Sequence, residues 1–213
     1  MTDTNMKAAA PASGQPLLKP LVLILLAIWG MTVMTAAKNG VFDAVGDQPP
    51  FAIVVAALLP PALFLLAYRT LSGVKAWVGA IDLGLVTAVQ GWRVVGAAFV
   101  FTWGYGLLPG TFAIPAGYGD ILVGLAAPFV ALMIWQKSAG WRTAAYGLIF
   151  IGFLDFISAF AMGVILRENG PVYQAGDLHT GLLAEFPLTM IPSFLVPVFM
   201  ILHIIAILKL RGR

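Results

Sequence analysis

Four ionisable residues stand inside long apolar stretches of this chain: Arg93, Asp120, Asp155 and His203. Gln90 accompanies Arg93 one turn earlier. A charge surrounded by so much apolar sequence is costly, about 2.5–3.5 kcal/mol on insertion scales, unless it faces protein or water and finds a partner. Two carboxylates against one guanidinium leave a net negative charge if all three are ionised. One acid is then expected to hold a proton, and a group that gains and loses a proton as it changes partners suits a proton-coupled carrier of small solutes. A purely structural ion cluster that fastens helices together is the other expectation.

The elements that must position these residues are six apolar stretches, at 21–37, 51–68, 83–106, 112–135, 143–166 and 186–208. A helix needs about 20 mostly apolar residues to cross the hydrocarbon core, and inside lipid the backbone must satisfy its own hydrogen bonds. Composition agrees: 61% of the 213 residues are hydrophobic and only 10% charged, with mean hydropathy +0.96. The expected fold is an all-α, polytopic membrane bundle of six transmembrane helices, a single domain over 18–213 behind a disordered cytoplasmic tail at 1–17. Lys and Arg in the loops alternate, nine on the side of the amino terminus against two on the other (Lys38 and Arg167). The positive-inside rule places both termini in the cytoplasm. Asp82 reads as an N-cap ahead of the third stretch.

Helical spacing puts each inner charge on a stripe of small residues. Gln90, Arg93, Gly96, Ala97 and Gly104 fall near one face of the third helix. Asp120, Gly124, Ala127 and Ala131 share a face of the fourth, and Gly152, Asp155, Ser158 and Ala159 one of the fifth. Small residues let helix backbones approach closely, so these faces are expected to meet. Counting depth at 1.5 Å per residue puts Asp120 and Asp155 about one turn apart, with Arg93 between or just below and His203 beneath.

Proline marks a second set of positions. A proline inside a helix leaves the carbonyl four residues earlier without its donor. Pro128 would free the carbonyl of Gly124, and Pro192 and Pro197 those of Leu188 and Ser193. Such sites are either packing kinks or broken helices that line a cavity and present carbonyls to a solute.

Other chemistries lack their residues. Cysteine is absent, which removes disulfides and thiolate chemistry. The basic residues form no stripe with interleaved aromatics, so no nucleic-acid partner is expected. His203 and the loop residue His179 make no haem ligand set, and no lysine sits mid-helix, so no cofactor is expected. The implied partners are the lipid bilayer and a small solute or proton, with nothing in the sequence to specify a protein partner.

Two resemblances rest on particular residues. Gly117-Tyr118-Gly119-Asp120 resembles the GxGD signature of intramembrane aspartyl proteases, a family that includes presenilin-like and prepilin peptidases. That resemblance implies a second aspartate sharing a proton with Asp120. In presenilin-like enzymes this second acid precedes the GxGD helix, whereas Asp155 follows it, and the Pro-Ala-Leu motif is replaced by Phe186-Pro187-Leu188. The segments Gln90-Gly91-Trp92-Arg93-Val94-Val95-Gly96 and Pro115-Ala116-Gly117-Tyr118-Gly119-Asp120 also resemble small six-helix bacterial inner-membrane proteins of uncharacterised activity. This second resemblance implies a multi-pass protein of the bacterial plasma membrane and assigns no residue a role.

Overall fold

In the computed structural model, residues 18–43 and 49–212 are described. The reading of 1–17 as a tail lies outside them. All regular structure among the described residues is helical. The order is α1 (Leu18–Lys38), α2 (Phe51–Thr70), α3 (Ser72–Ala80), α4 (Leu83–Val89), a 3₁₀ segment Gln90–Gly96, α5 (Ala97–Gly104), α6 (Gly110–Gln136) and α7 (Trp141–Ile165). A 3₁₀ turn at Thr180–Ala184 and a π-helical turn at Ile191–Leu195 then lead into α8 (Val196–Arg211). Six spans among the described residues are long and apolar enough to cross a membrane.

The third span differs most from its expected form. It is not one continuous α-helix: α4 and α5 are joined by the 3₁₀ segment that carries Gln90 and Arg93. Residues three apart eclipse in a 3₁₀ helix. Gln90, Arg93 and Gly96 therefore stack on one buried face, with Phe99 continuing it into α5. Gly104, expected on that stripe, is exposed and has nothing near it. The span ends in a Schellman motif: Gly106 takes φ +71°, its N–H donates to the Trp103 carbonyl, and the Leu107 N–H donates to that of Thr102. Only glycine adopts this conformation without strain. It lets 107–109 turn the chain straight into α6.

Of the two expectations for proline, uninterrupted helices fit the first at several positions. α2 runs unbroken through Pro60 and Pro61, and α6 through Pro115 and Pro128. Pro192 falls in the first turn of its helical span, where a missing N–H is tolerated. The Leu188 carbonyl it was expected to free accepts from the Ile191 N–H at 3.0 Å. Ahead of Pro197 the chain widens into a π turn, in which the Val196 N–H donates to the Ile191 carbonyl.

α6 is the centre of the bundle. It packs on α4, the 3₁₀ segment, α5 and α7. Its glycines set the spacing: a Cβ at Gly124 would meet the Val94 backbone nitrogen at 2.8 Å, and one at Gly117 the Gly96 carbonyl oxygen at 3.2 Å. Large apolar side chains cover the outside, with Trp92 74% and Phe129 73% exposed. α1 packs chiefly on the π turn, through Trp29 against Phe194.

Two large apolar clusters fill the centre of the bundle, and a third, of Val33, Ala37, Phe42, Ile53 and Ala184, joins α1 to α2. Of the large two, one holds Leu83, Val86, Val130, Ile134, Ala145, Leu148 and Leu210. The other holds Phe99, Phe112, Phe156, Leu183, Ile191 and Phe199. Four spans pass from one cluster to the other, and on each the crossing point is a polar residue: Arg93, Asp120, Asp155 and His203 respectively.

At the first cluster's end, α3 replaces an expected loop. Its Val78 is buried there, and the Lys209 ammonium donates to the carbonyls of Val78 and Gly79 at 3.0 and 2.8 Å. Asp82 caps α4, accepting from the Leu85 N–H at 2.7 Å and from the Trp135 indole at 2.7 Å. Burial pushes its carboxyl up, but the indole, the N–H groups of Leu85 and Gly84 and the charge of Lys209 together hold it below its ordinary value. A carboxyl lowered in the folded state stabilises above its unfolded pKa and loses that contribution as pH falls through the folded one. Asp82→Ala is therefore expected to cost about 1 kcal/mol at neutral pH. The gap to the native chain should shrink below about pH 4. Thermal melts of both proteins across that range measure it.

Candidate functional site

The 3₁₀ segment delivers Arg93 to the middle of the bundle, with 0% of its side chain exposed. Its donors are divided among three helices. Nε meets Asp120 Oδ1 of α6 at 2.7 Å, and Nη2 meets Asp155 Oδ2 of α7 at 2.5 Å. Nη1 points at the Gly152 carbonyl of α7 and at His203 Nε2 of α8, each at 3.4 Å. The guanidinium also lies over the Phe156 ring, 4.0 Å from its centroid. A planar fork of five fixed donors can serve so many partners at once, which a single ammonium cannot.

The contact of Arg93 Nη1 with His203 Nε2, at 3.4 Å, suits one tautomer of the imidazole. Guanidinium nitrogens only donate, so a hydrogen bond here has His203 Nε2 as the acceptor. That is neutral imidazole with its proton on Nδ1. Phe153 and Phe156 flank the ring at 5.4 and 6.2 Å between centroids. His203 thus adds no positive charge, and the cluster retains two acids against one cation.

Three glycines make room for these groups. A Cβ at Gly96 would run into the Asp120 carboxylate, and one at Gly119 into that of Asp155. One at Gly152 would strike the His203 ring and lie 2.8 Å from Arg93 Nη1. The GxGD-like tetrapeptide has a packing explanation on these grounds: Gly117 brings α6 against Val100, and Gly119 admits the side chain of Asp155.

Gln90 is buried but stands apart from the ion cluster. Its Nε2 donates to the Phe199 carbonyl of α8 at 3.1 Å, tying the 3₁₀ segment to α8. Its Oε1 is buried with no donor among the described residues.

A cavity of about 250 Å³ reaches the two acids from the end of the bundle where 167–169 and the 3₁₀ turn at 180–184 lie. Asp120 and Asp155 form its floor, each with 8% of its side chain exposed. Phe99, Phe112, Phe156 and Phe160 form walls, and Arg167 and Glu168 the mouth. The start of α2 and the outer half of α7 flank it, although α2 packs on α8 and the π turn and α7 on α6 and α8.

The four proline and glycine positions separate. Pro192 lines the cavity. Pro128 is exposed on the outer face of α6, Gly124 is packed against the Val94 backbone, and Pro197 is fully buried away from the cavity. Sequence reasoning missed Arg167 and the four phenylalanines, which come from several different elements. Their only common signal is the fold itself.

No metal-ligand set of three or more His, Asp or Glu side chains converges among the described residues. His179 Nδ1 accepts from the Gly181 N–H, and Asp177 from the Gln174 N–H, so both are engaged in local turns.

Fold and site define an all-helical bundle with six membrane-length spans and a buried acid–arginine–acid centre beneath a cavity. The chain belongs to the family described as a domain of unknown function (DUF8737), whose model matches residues 50–211. That segment contains five of the six spans and every residue of the cluster, and leaves out α1. No curated protein and no solved structure matches the chain.

Proposed function

We propose that this chain is a multi-pass protein of the bacterial inner membrane, with both termini cytoplasmic, that carries a small solute in exchange for, or together with, protons. Six apolar spans and a lipid-like outer surface support the membrane location. Nine loop bases against two support the orientation. In this orientation the cavity mouth faces away from the cytoplasm.

The observation that carries the reading is a cavity ending on two carboxylates that share one guanidinium. Among the described residues, every charged group facing Asp155 can be counted. Arg93 and Asp120 adjoin it, His203 is neutral, and Arg167 and Glu168 stand opposed at the mouth. The floor therefore carries one excess negative charge when both acids are ionised. A proton arriving through the cavity, or a cation of the solute, removes it. Exchange between the two is the elementary step of a coupled carrier. The protease reading is less well supported, because Arg93 holds one oxygen of each acid where a proteolytic pair shares a single proton.

Reconstitution in proteoliposomes with an internal pH dye tests this. Addition of small solutes outside should move protons through the native chain, and Asp155→Asn should stop that movement while remaining folded. A native chain that moves no protons with any solute, or an Asp155→Asn variant that moves them equally well, overturns the proposal. The chain has no cysteine. Single cysteines placed at Gly73 and Gly110 therefore report orientation in cells: an impermeant maleimide should reach only the second.

A further inference from the structure

Both ends of the cavity hold polar atoms without partners. At the floor, Arg93 occupies Asp120 Oδ1 and Asp155 Oδ2. Asp120 Oδ2 and Asp155 Oδ1 receive no hydrogen bond from any described residue. At the mouth, Arg167 spends Nη1 on the Val164 carbonyl at 2.7 Å, while its Nε is buried with no acceptor among the described residues. Buried polar atoms are nearly always paired, so Arg167 Nε is an exception, while the two acids each keep 8% of their side chain exposed at the cavity floor. A donor is missing below and an acceptor above.

The space between is apolar. Phe99, Phe112, Phe156 and Phe160 line it, and aromatic faces attract a cation as well as an apolar chain. The two ends are far apart. Val164, whose carbonyl holds the Arg167 guanidinium, lies about 14 Å beyond Asp155 along α7 at the rise of an α-helix. At about 250 Å³ the cavity is small for a ligand site, which ordinarily holds about 300 Å³ or more, so an occupant that spans both ends is slender.

We infer that the cavity binds a slender amphiphile with an ammonium group at one end and a carboxylate at the other, the ammonium on Asp120 and Asp155 and the carboxylate on Arg167. The inference rests on the carrier reading only for the release of the amphiphile across the membrane, since occupancy itself needs no transport. The ammonium supplies the donors both acids lack and cancels the excess negative charge. The carboxylate pairs with the charge of the Arg167 guanidinium, which lines the cavity, and the methylene chain runs along the phenylalanines.

Equilibrium binding to the full chain in nanodiscs tests this, with aminodecanoate, decylamine and decanoate as probes. Their partition into protein-free nanodiscs is subtracted. Aminodecanoate should bind most tightly, decylamine about tenfold more weakly for want of one charge-assisted hydrogen bond, and decanoate not measurably. Arg167→Gln should remove the margin of aminodecanoate over decylamine and leave decylamine binding intact. Asp155→Asn, which keeps the Arg93–Asp120 pair, should weaken both amines. Decanoate binding as well as decylamine, or aminodecanoate losing nothing in Arg167→Gln, overturns the inference. Binding in this pattern without proton movement in proteoliposomes sinks the carrier reading and leaves the site standing. Proton movement with other solutes but no amine binding does the reverse.

Discussion

Arg93→Leu is expected to melt far below the native chain, and below Asp155→Asn. Arg93 is fully buried and, among the described residues, is the one cation facing both acids. Without it two carboxylates remain inside the bundle with no cation, and breaking a buried ion pair from one side costs about 3–5 kcal/mol. Asp155→Asn leaves Arg93 paired with Asp120, a balanced pair, and costs less. Arg93→Lys falls between, because an ammonium meets one acid well but lacks the fork that reaches both. The triple variant Arg93→Leu, Asp120→Asn, Asp155→Asn should regain much of the loss, since it leaves no charge unpaired. Thermal unfolding in one detergent, followed by tryptophan fluorescence, ranks the four. An Arg93→Leu melt equal to the native one would show that the cluster contributes nothing to stability.

Two glycine-to-alanine changes on α7 are expected to act in opposite directions. At Gly147 an added Cβ meets nothing within 4 Å. Gly147→Ala should be neutral or gain up to about 1 kcal/mol of helix propensity. At Gly152 the Cβ enters the space of the His203 ring and of Arg93 Nη1. Arg93 is clamped by both acids and His203 is wedged between phenylalanines, so neither yields easily. Overpacking of this kind costs about 1–3 kcal/mol, more than the propensity gain. Gly152→Ala should therefore unfold at a lower temperature than Gly147→Ala. Adding His203→Ala to Gly152→Ala should cost less than the two changes measured separately, as expected for residues in contact. Equal melts for the two alanine variants would reject the tight fit at Gly152.

Much of the candidate site was legible because the sequence is so apolar. In a chain with 10% charged residues, each charge inside a long hydrophobic run stands out, and a common depth comes from counting residues at a fixed rise. Gly96 and Gly152 were visible as members of small-residue stripes, but their partners were not. The sequence left two readings open for the prolines, packing kinks or breaks, and could not choose between them. Pro128 satisfies the local rule for a helix interruption, yet it faces outward from an unbroken α6. The interruption that positions Arg93 contains no proline. It is the 3₁₀ segment where Gly91 and Val94 press against Gly124 of α6.

The sequence by itself determined six membrane-length spans, their bounds to within a few residues, and the four ionisable residues inside them. Hydrophobic length and the cost of an unpaired charge in an apolar setting are properties of composition and order along one segment. Only the tertiary structure decided which donor meets which acid, that His203 lies against Arg93, and that a phenylalanine-lined cavity ends on the two carboxylates. Those facts depend on how closely α4, the 3₁₀ segment and α5 approach α6, and on where α7 and α8 cross it. Helix separation and rotation are fixed by pairs of residues far apart in sequence, such as Gly96 with Asp120 and Gly119 with Asp155. No single segment encodes them.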